Sequence, residues 1–170
     1  MAGALLEAWL LARGIGGVQV SSAGLLAPGF PAEPEACAAF PGLAGHRSRQ
    51  LSTEDVDWAD LVIGMTREHV REAVVRAPAT FPKTFTLKEI VRRGQAMPRS
   101  PSEAIPQWMR RMAADRVPPD LLGDHPDDDV ADPTGLGAAA WARTIEELDR
   151  LTASLAGMLW DPEGRMTLYS

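Results

Sequence analysis

The sequence has 170 residues, 45% of them hydrophobic, and a formal net charge of -6. That length and composition suit one folded α/β domain with its own core rather than a disordered tail. The acidic balance, with Lys and Arg spread thinly, argues against nucleic acid or an anionic membrane as the main partner. The single cysteine, Cys37, rules out an internal disulfide framework and a cysteine-rich zinc site. One thiol, together with an apolar start that is interrupted by Glu7 and Arg13 and lacks a basic leader, points to a cytoplasmic protein. No uncharged apolar run of about 18 residues occurs, so no spanning helix is predicted.

Residues 2–13 are predicted as a helix, because Leu5, Leu6, Trp9 and Leu10 recur at helical spacing and Gly14 supplies a stop. No N-cap precedes it, so the chain starts inside an element. Val18 and Val20 alternate with polar residues and read as a short strand. Ser21-Ser22-Ala23-Gly24 then turns the chain. Pro31 and Pro34 bracket a loop into a short helix over 35–40, which Gly42 and Gly45 break. Ser52, with Asp55 three residues on, forms a capping box for another short helix. Leu61-Val62-Ile63 is apolar without alternation, as suits a strand covered on both faces of a parallel sheet. Thr66 caps a helix to about residue 76.

Thr84-Phe85 is read as a third strand. Thr86-Leu87-Lys88-Glu89 is a second capping box and opens a helix expected to end at Gly94. Ser100-Pro101-Ser102-Glu103 reads as a further helix start, with Pro101 at the first helical position, and Pro118-Pro119 ends that helix. Residues 123–137 form a loop rich in Asp, Gly and Pro. The longest helix follows over 138–160, with Trp141, Ile145, Leu148, Leu155 and Leu159 on one face. Alternating strands and helices imply a doubly wound α/β sheet, although three strands are few for one. A single domain is expected over residues 1–160, with 161–170 as a flexible tail.

Three segments in this order resemble the low-molecular-weight protein-tyrosine phosphatases. Met1-Ala2-Gly3-Ala4-Leu5-Leu6 looks like the helix that follows the family's phosphate loop, with Ser21-Ser22-Ala23-Gly24 a short strand later. His46-Arg47-Ser48-Arg49-Gln50-Leu51 leads into Ala59-Asp60-Leu61-Val62-Ile63-Gly64-Met65-Thr66, similar to a helix and the third strand of the family. Asp128-Asp129-Val130-Ala131-Asp132-Pro133 precedes the long last helix, as does the loop supplying the family's general acid. The resemblance covers nearly the whole chain and is weakest over 94–122. It implies a three-layer α/β/α fold with a small parallel sheet whose first strand is missing.

The family's nucleophile is a cysteine, followed after five residues by arginine and directly preceding the first helix. No such loop lies ahead of Met1 in these 170 residues. Cys37 does not stand in, because Leu43 follows six residues on and Ala38 and Ala39 look like packing residues. A small or partly buried structural thiol is the reading for Cys37. The resemblance implies a protein-tyrosine-phosphatase-like hydrolase acting on phosphorylated protein (phosphotyrosine) or a small phosphomonoester through a cysteinyl-phosphate intermediate. Such a site also binds phosphate-like anions.

The chemistry needs a thiolate held by backbone N–H groups at a helix N-terminus and an acid for the leaving oxygen. Asp132, before a proline that keeps it extended, is the candidate acid. The alternative is one more solvated carboxylate beside Asp124, Asp127, Asp128 and Asp129. The resemblance gives His46 and Ser22 supporting places around the phosphate loop. For His46, a plain turn residue is an equal alternative. No cofactor is implied: His46, His69 and His125 are scattered, and the acidic loop fails the EF-hand pattern at Ala131 and Asp132.

A start of translation placed too late is one explanation for the missing loop, and the chain as it stands is expected to be inactive and marginally stable. A catalytically inactive relative that binds phospho-ligands or regulates is the competing reading. An arsenate reductase, which needs further redox cysteines, is a third.

Overall fold

The computed structural model describes residues 1–160. The tail expected at 161–170 lies outside the described residues. Helix α1 (Ala2–Ala12) opens the chain and stops as the sequence suggests. Gly14 takes φ +65°, and the Ile15 and Gly14 N–H groups donate to the Leu10 and Leu11 carbonyls at 3.0 and 3.1 Å. This is a Schellman closure, which needs the left-handed backbone that glycine tolerates.

Two short helices follow, α2 (Pro34–Ala39) and α3 (Thr53–Trp58). The Ser52–Asp55 capping box forms in full: Asp55 N–H donates to Ser52 Oγ at 3.2 Å and Ser52 N–H donates to Asp55 Oδ2 at 3.0 Å. Strand β1 (Val62–Gly64) pairs in parallel with β2 (Thr84–Thr86), Ile63 standing opposite Phe85. Between them run α4 (Arg67–Arg76) and a 3-10 segment (Pro78–Lys83). Helices α5 (Leu87–Ala96) and α6 (Ile105–Met112), a 3-10 turn (Pro118–Leu121) and α7 (Ala138–Trp160) complete the order.

The alternation of side chains along β1 separates two apolar layers. Leu61 and Ile63 join the main core of Phe85, Leu87, Ile90, Trp108, Met112, Leu148 and Leu155. Val62 packs instead with Val56, Ala73 and Ala77, under α3 and α4. Helix α1 lies along α7, and the Trp9 and Trp160 rings meet at 6.3 Å. The sheet is therefore sandwiched between helices, as expected. No helix among the described residues is long and apolar enough to cross a membrane.

Three expectations change. Residues 18–20 form no strand: their neighbourhood pairs only through an isolated bridge between Gly24 and Gln50. Alternation marks a surface able to pair, but a strand exists only where a second strand supplies the ladder. The helix expected from Ser100 starts at Ile105. Continued from 101, it would need an N–H at Pro106 and would drive that ring into the carbonyl of Ser102. Ser100 and Glu103 instead close a turn, with the Glu103 N–H donating to the Ser100 carbonyl at 2.9 Å.

Gly94 does not end α5, which continues to Ala96. It is a contact glycine: a Cβ there would lie 2.6 Å from Met158 Sδ and 2.9 Å from Trp108 Cζ2. Met158 has freedom to move away. Trp108 is fully buried and fixed by its Nε1–H donating to the Met97 carbonyl at 2.7 Å. Gly94→Val therefore overpacks this crossing and is expected to cost about 2 kcal/mol, a fall of about 4–8 °C in the thermal midpoint. An unchanged midpoint in calorimetry would refute the close approach.

Candidate active site

Ligands of open α/β sheets gather beyond the carboxyl ends of the strands. At that end of β1 the chain passes through Met65 to Thr66, whose side chain caps α4 by accepting the His69 N–H at 3.4 Å. The Met65 carbonyl accepts the Val130 N–H at 2.8 Å. This bond ties the acidic loop to the sheet across 65 positions of sequence.

The same loop is held by charge. Arg67, the first residue of α4, donates its backbone N–H to Asp129 Oδ1 at 2.7 Å, and Asp129 Oδ2 accepts the His125 N–H at 2.8 Å. The Arg67 guanidinium meets Asp128 Oδ2, Nε at 2.8 Å and Nη2 at 2.7 Å. Arg92 reaches from α5 to Asp128 Oδ1 at 2.8 Å. Asp128 is buried. Burial acts to raise its pKa, and the guanidiniums of Arg92 and Arg67 outweigh that effect and hold the carboxyl below the usual range.

Asp132 follows four residues later and is exposed. Its Oδ1 accepts the Thr134 N–H at 2.9 Å, a local turn of the kind Asp favours. Pro133 beside it is buried, and the Ala131 carbonyl accepts the Thr144 hydroxyl from α7 at 3.4 Å. Asp132 thus presents a carboxylate to solvent on a loop whose two flanks are fixed. Met1 and Ala2 pack against the apolar cluster that contains Val130, and so does Met65. The amino end of α1, the end of β1 and the stem of the Asp132 loop share one core.

The other residues singled out in the sequence lie as follows. Ser22 is exposed in the turn before Gly24. That turn is joined to the segment after His46, since Gly24 N–H donates to the Arg49 carbonyl and Leu51 N–H to the Gly24 carbonyl, both at 2.8 Å. His46 is half-buried, and its backbone carbonyl accepts from Arg47 Nη1 at 2.8 Å. No hydrogen bond among the described residues joins Ser22 or His46 to Asp132. Cys37 is half-buried on α2, its thiol directed at the Ala32 carbonyl 3.7 Å away. Among the described residues, no group of three or more His, Cys, Asp or Glu side chains is placed to hold a metal ion.

Reasoning from the sequence missed the clamp formed by Arg67, Arg92 and Asp128. One signal for it exists. An arginine at the first position of a helix faces the positive end of the macrodipole, so Arg67 calls for an acidic partner there.

Comparison with known proteins bears on the same elements. The sequence profile of the family described as low molecular weight phosphotyrosine protein phosphatase matches residues 1–98. A protein-arginine-phosphatase of Geobacillus stearothermophilus is 43% identical over 95 residues, a match that covers 54% of this chain and 62% of that relative. Among solved structures, the YwlE arginine phosphatase from Geobacillus stearothermophilus superposes with a TM-score of 0.64 at 29% identity, over 99% of this chain and 89% of that one. A low molecular weight protein tyrosine phosphatase from Bacillus subtilis gives 0.67 at 27% identity, over 94% and 87%. One from T. tengcongensis gives 0.64 at 28%, over 91% and 86%. With the three-layer architecture and the profile match in agreement, this chain belongs to the low molecular weight phosphotyrosine protein phosphatase family.

Proposed function

We propose that this chain is the greater part of a phosphatase that cleaves a phosphorylated protein side chain through a cysteinyl-phosphate intermediate, with Asp132 as the proton donor. The observation that carries this is the Val130–Met65 hydrogen bond. It brings the Asp-Pro loop to the carboxyl end of β1, and the start of α1 rests on the same core. In the reaction a thiolate attacks phosphorus, the bond from phosphorus to the leaving atom breaks, and that atom takes the proton of Asp132. Water then cleaves the thiophosphate.

The nucleophile is not among residues 1–170 on this reading. Cys37 sits on α2 against the Ala32 carbonyl, with Leu43 where the anion-binding arginine belongs. Strand β1 pairs only with β2 among the described residues, which leaves its other edge without a partner strand there. A strand leading into a thiol loop fits along that unpaired edge, so that the loop meets the amino end of α1. The reading as a phospho-ligand-binding relative without catalysis shares every feature except that loop.

The leaving group divides two versions of this reading. The family description points to phosphotyrosine. The similarity to a protein-arginine-phosphatase favours phosphoarginine, whose departing guanidine needs the same proton.

Residues 1–170 alone are expected to leave p-nitrophenyl phosphate intact, and turnover by that polypeptide would overturn the claim about the nucleophile. Extended by the residues encoded upstream of Met1, the protein is expected to hydrolyse it. Asp132→Asn in that form lowers kcat about 10²- to 10³-fold, and an unchanged kcat removes Asp132 from the mechanism. Phosphotyrosine and phosphoarginine peptides, compared by phosphate release, decide between the two substrates.

The Asp128 clamp has its own pH signature. A carboxyl held low in the folded state adds stability above its unfolded pKa, about 3.9. That contribution disappears as the pH falls through the folded value. Asp128→Asn leaves two arginines facing a neutral group and is expected to cost about 3 kcal/mol at neutral pH. It also flattens the decline in stability below about pH 4. Denaturant midpoints measured from pH 3 to 7 check both, and parallel curves for the two proteins would exclude the clamp.

A further inference from the structure

The ring of His69 has no part in the reaction proposed above, yet it is bonded to the backbone that holds the acidic loop. His69 is the third residue of α4, after the cap Thr66. Thr66 Oγ1 accepts the His69 N–H at 3.4 Å, and His69 Nδ1 accepts the Met65 N–H at 3.3 Å. The pair satisfies two backbone N–H groups at the start of the helix, as a capping box does, but an imidazole closes it where Glu or Gln ordinarily would. Gly64, buried at the end of β1, makes the room: a Cβ there would lie 2.9 Å from the Cβ of His69.

The bond to Met65 needs the lone pair of Nδ1, so it exists only for a ring protonated at Nε2 alone. A second proton would set N–H against N–H and break it. Met65 is bonded on both sides. Its N–H goes to His69, and its carbonyl accepts the Val130 N–H at 2.8 Å. The two peptide planes that flank Met65 are thus held at once, one by the imidazole and one by the acidic loop, two residues ahead of Asp132.

The charges nearby are already engaged. On α4, Arg67 is paired with Asp128 and Glu72 with Arg76, and Glu68 is exposed. On the loop, Asp129 accepts the Arg67 and His125 N–H groups. Strand β1 carries no charged residue. Among the described residues the one histidine in an ion pair is His125, with Asp127 at 3.9 Å. No carboxylate therefore stands ready to take over a doubly protonated His69, and the first turn of a helix disfavours a cation.

We propose that His69 is a positioning residue for Asp132: as the neutral ring it fixes Met65, which holds the acidic loop at Val130, and on gaining a second proton it releases that anchor. The positioning role rests on the assignment of Asp132 as proton donor. The coupling from His69 to Val130 does not.

The test follows the His69 ring and the Met65 and Val130 amides by NMR in the full chain, across about pH 5 to 8. Hydrogen exchange at Val130, corrected for its intrinsic dependence on pH, is expected to rise about tenfold as the ring takes its second proton, the size of effect that follows loss of a cap. His69→Phe keeps a ring without the acceptor and exchanges fast at every pH. His69→Gln offers an acceptor with no proton to gain, so Val130 stays protected and its exchange no longer follows pH. That variant carries the test if His69→Phe does not fold. In the form extended upstream of Met1, His69→Phe lowers kcat about tenfold with KM little changed, and His69→Gln recovers most of the loss. The proposal is overturned if exchange at Val130 does not follow the protonation of His69, or if His69→Phe exchanges like wild type. Failure of the acid assignment reads differently: Asp132→Asn then leaves kcat unchanged while the effects of His69 on exchange persist.

Discussion

The carboxylate of Asp128, held between Arg67 and Arg92, is the interaction on which the arrangement of this site depends. The loop over residues 123–137 contains five aspartates, and such a segment has little apolar surface to bury and repels itself. Val130 and Pro133 are its buried apolar contacts. What fixes it is a set of charges and N–H groups at the start of α4 and on α5. A buried ion pair is poor evidence for net stability, because desolvation offsets the attraction. It is strong as a selector of conformation. Any other path for the loop would leave two arginines and one carboxylate without partners. The position of Asp132 is therefore decided four residues earlier, by the groups that hold Asp128.

The legible parts of the fold are those whose cause is local. Ser52 with Asp55, Thr66, and Thr86 all cap the helices assigned to them, since a cap is read from four adjacent residues. The Thr86 box closes only halfway. Thr86 accepts the Glu89 N–H at 3.0 Å, but the Glu89 carboxylate is drawn to Arg93 and Arg116 and does not return to its cap. Residues 18–20 failed as a strand because pairing is a property of two segments. Gly94 was misread because a glycine that stops a helix and one that lets two helices touch are identical in the sequence. Only the Trp108 ring beside it tells them apart.

The candidate site follows the same division. Asp132 was singled out because a proline follows it and because its surroundings resemble those of a known family, and its proposed role rests on those two signals. Its exposure and its Asx turn agree with an available carboxylate, but no spacing rule connects it to β1. The connection runs from Val130 to Met65 and from Asp128 to Arg67, 61 positions apart. Contacts of that separation are specified by the fold as a whole, and a dense run of aspartates conceals which of them turns inward.

Residues 97–122 acquire a physical role that composition did not suggest. Strand β2 pairs on one side only among the described residues, yet Thr84, Phe85 and Thr86 are at most 1% exposed. An unpaired strand edge open to water invites association with another chain. Here Trp108 and Met112 pack in the same core as Phe85, and arginines fasten the segment that carries them. Arg116 binds the Phe81 carbonyl just before β2, and Arg93 donates to the Met112 carbonyl at 2.9 Å. Apolar residues alone would hide the edge but leave those carbonyls unsatisfied. Guanidiniums satisfy them and carry positive charge inside, which Glu89, shared by Arg93 and Arg116, and Asp115, paired with Arg93, offset.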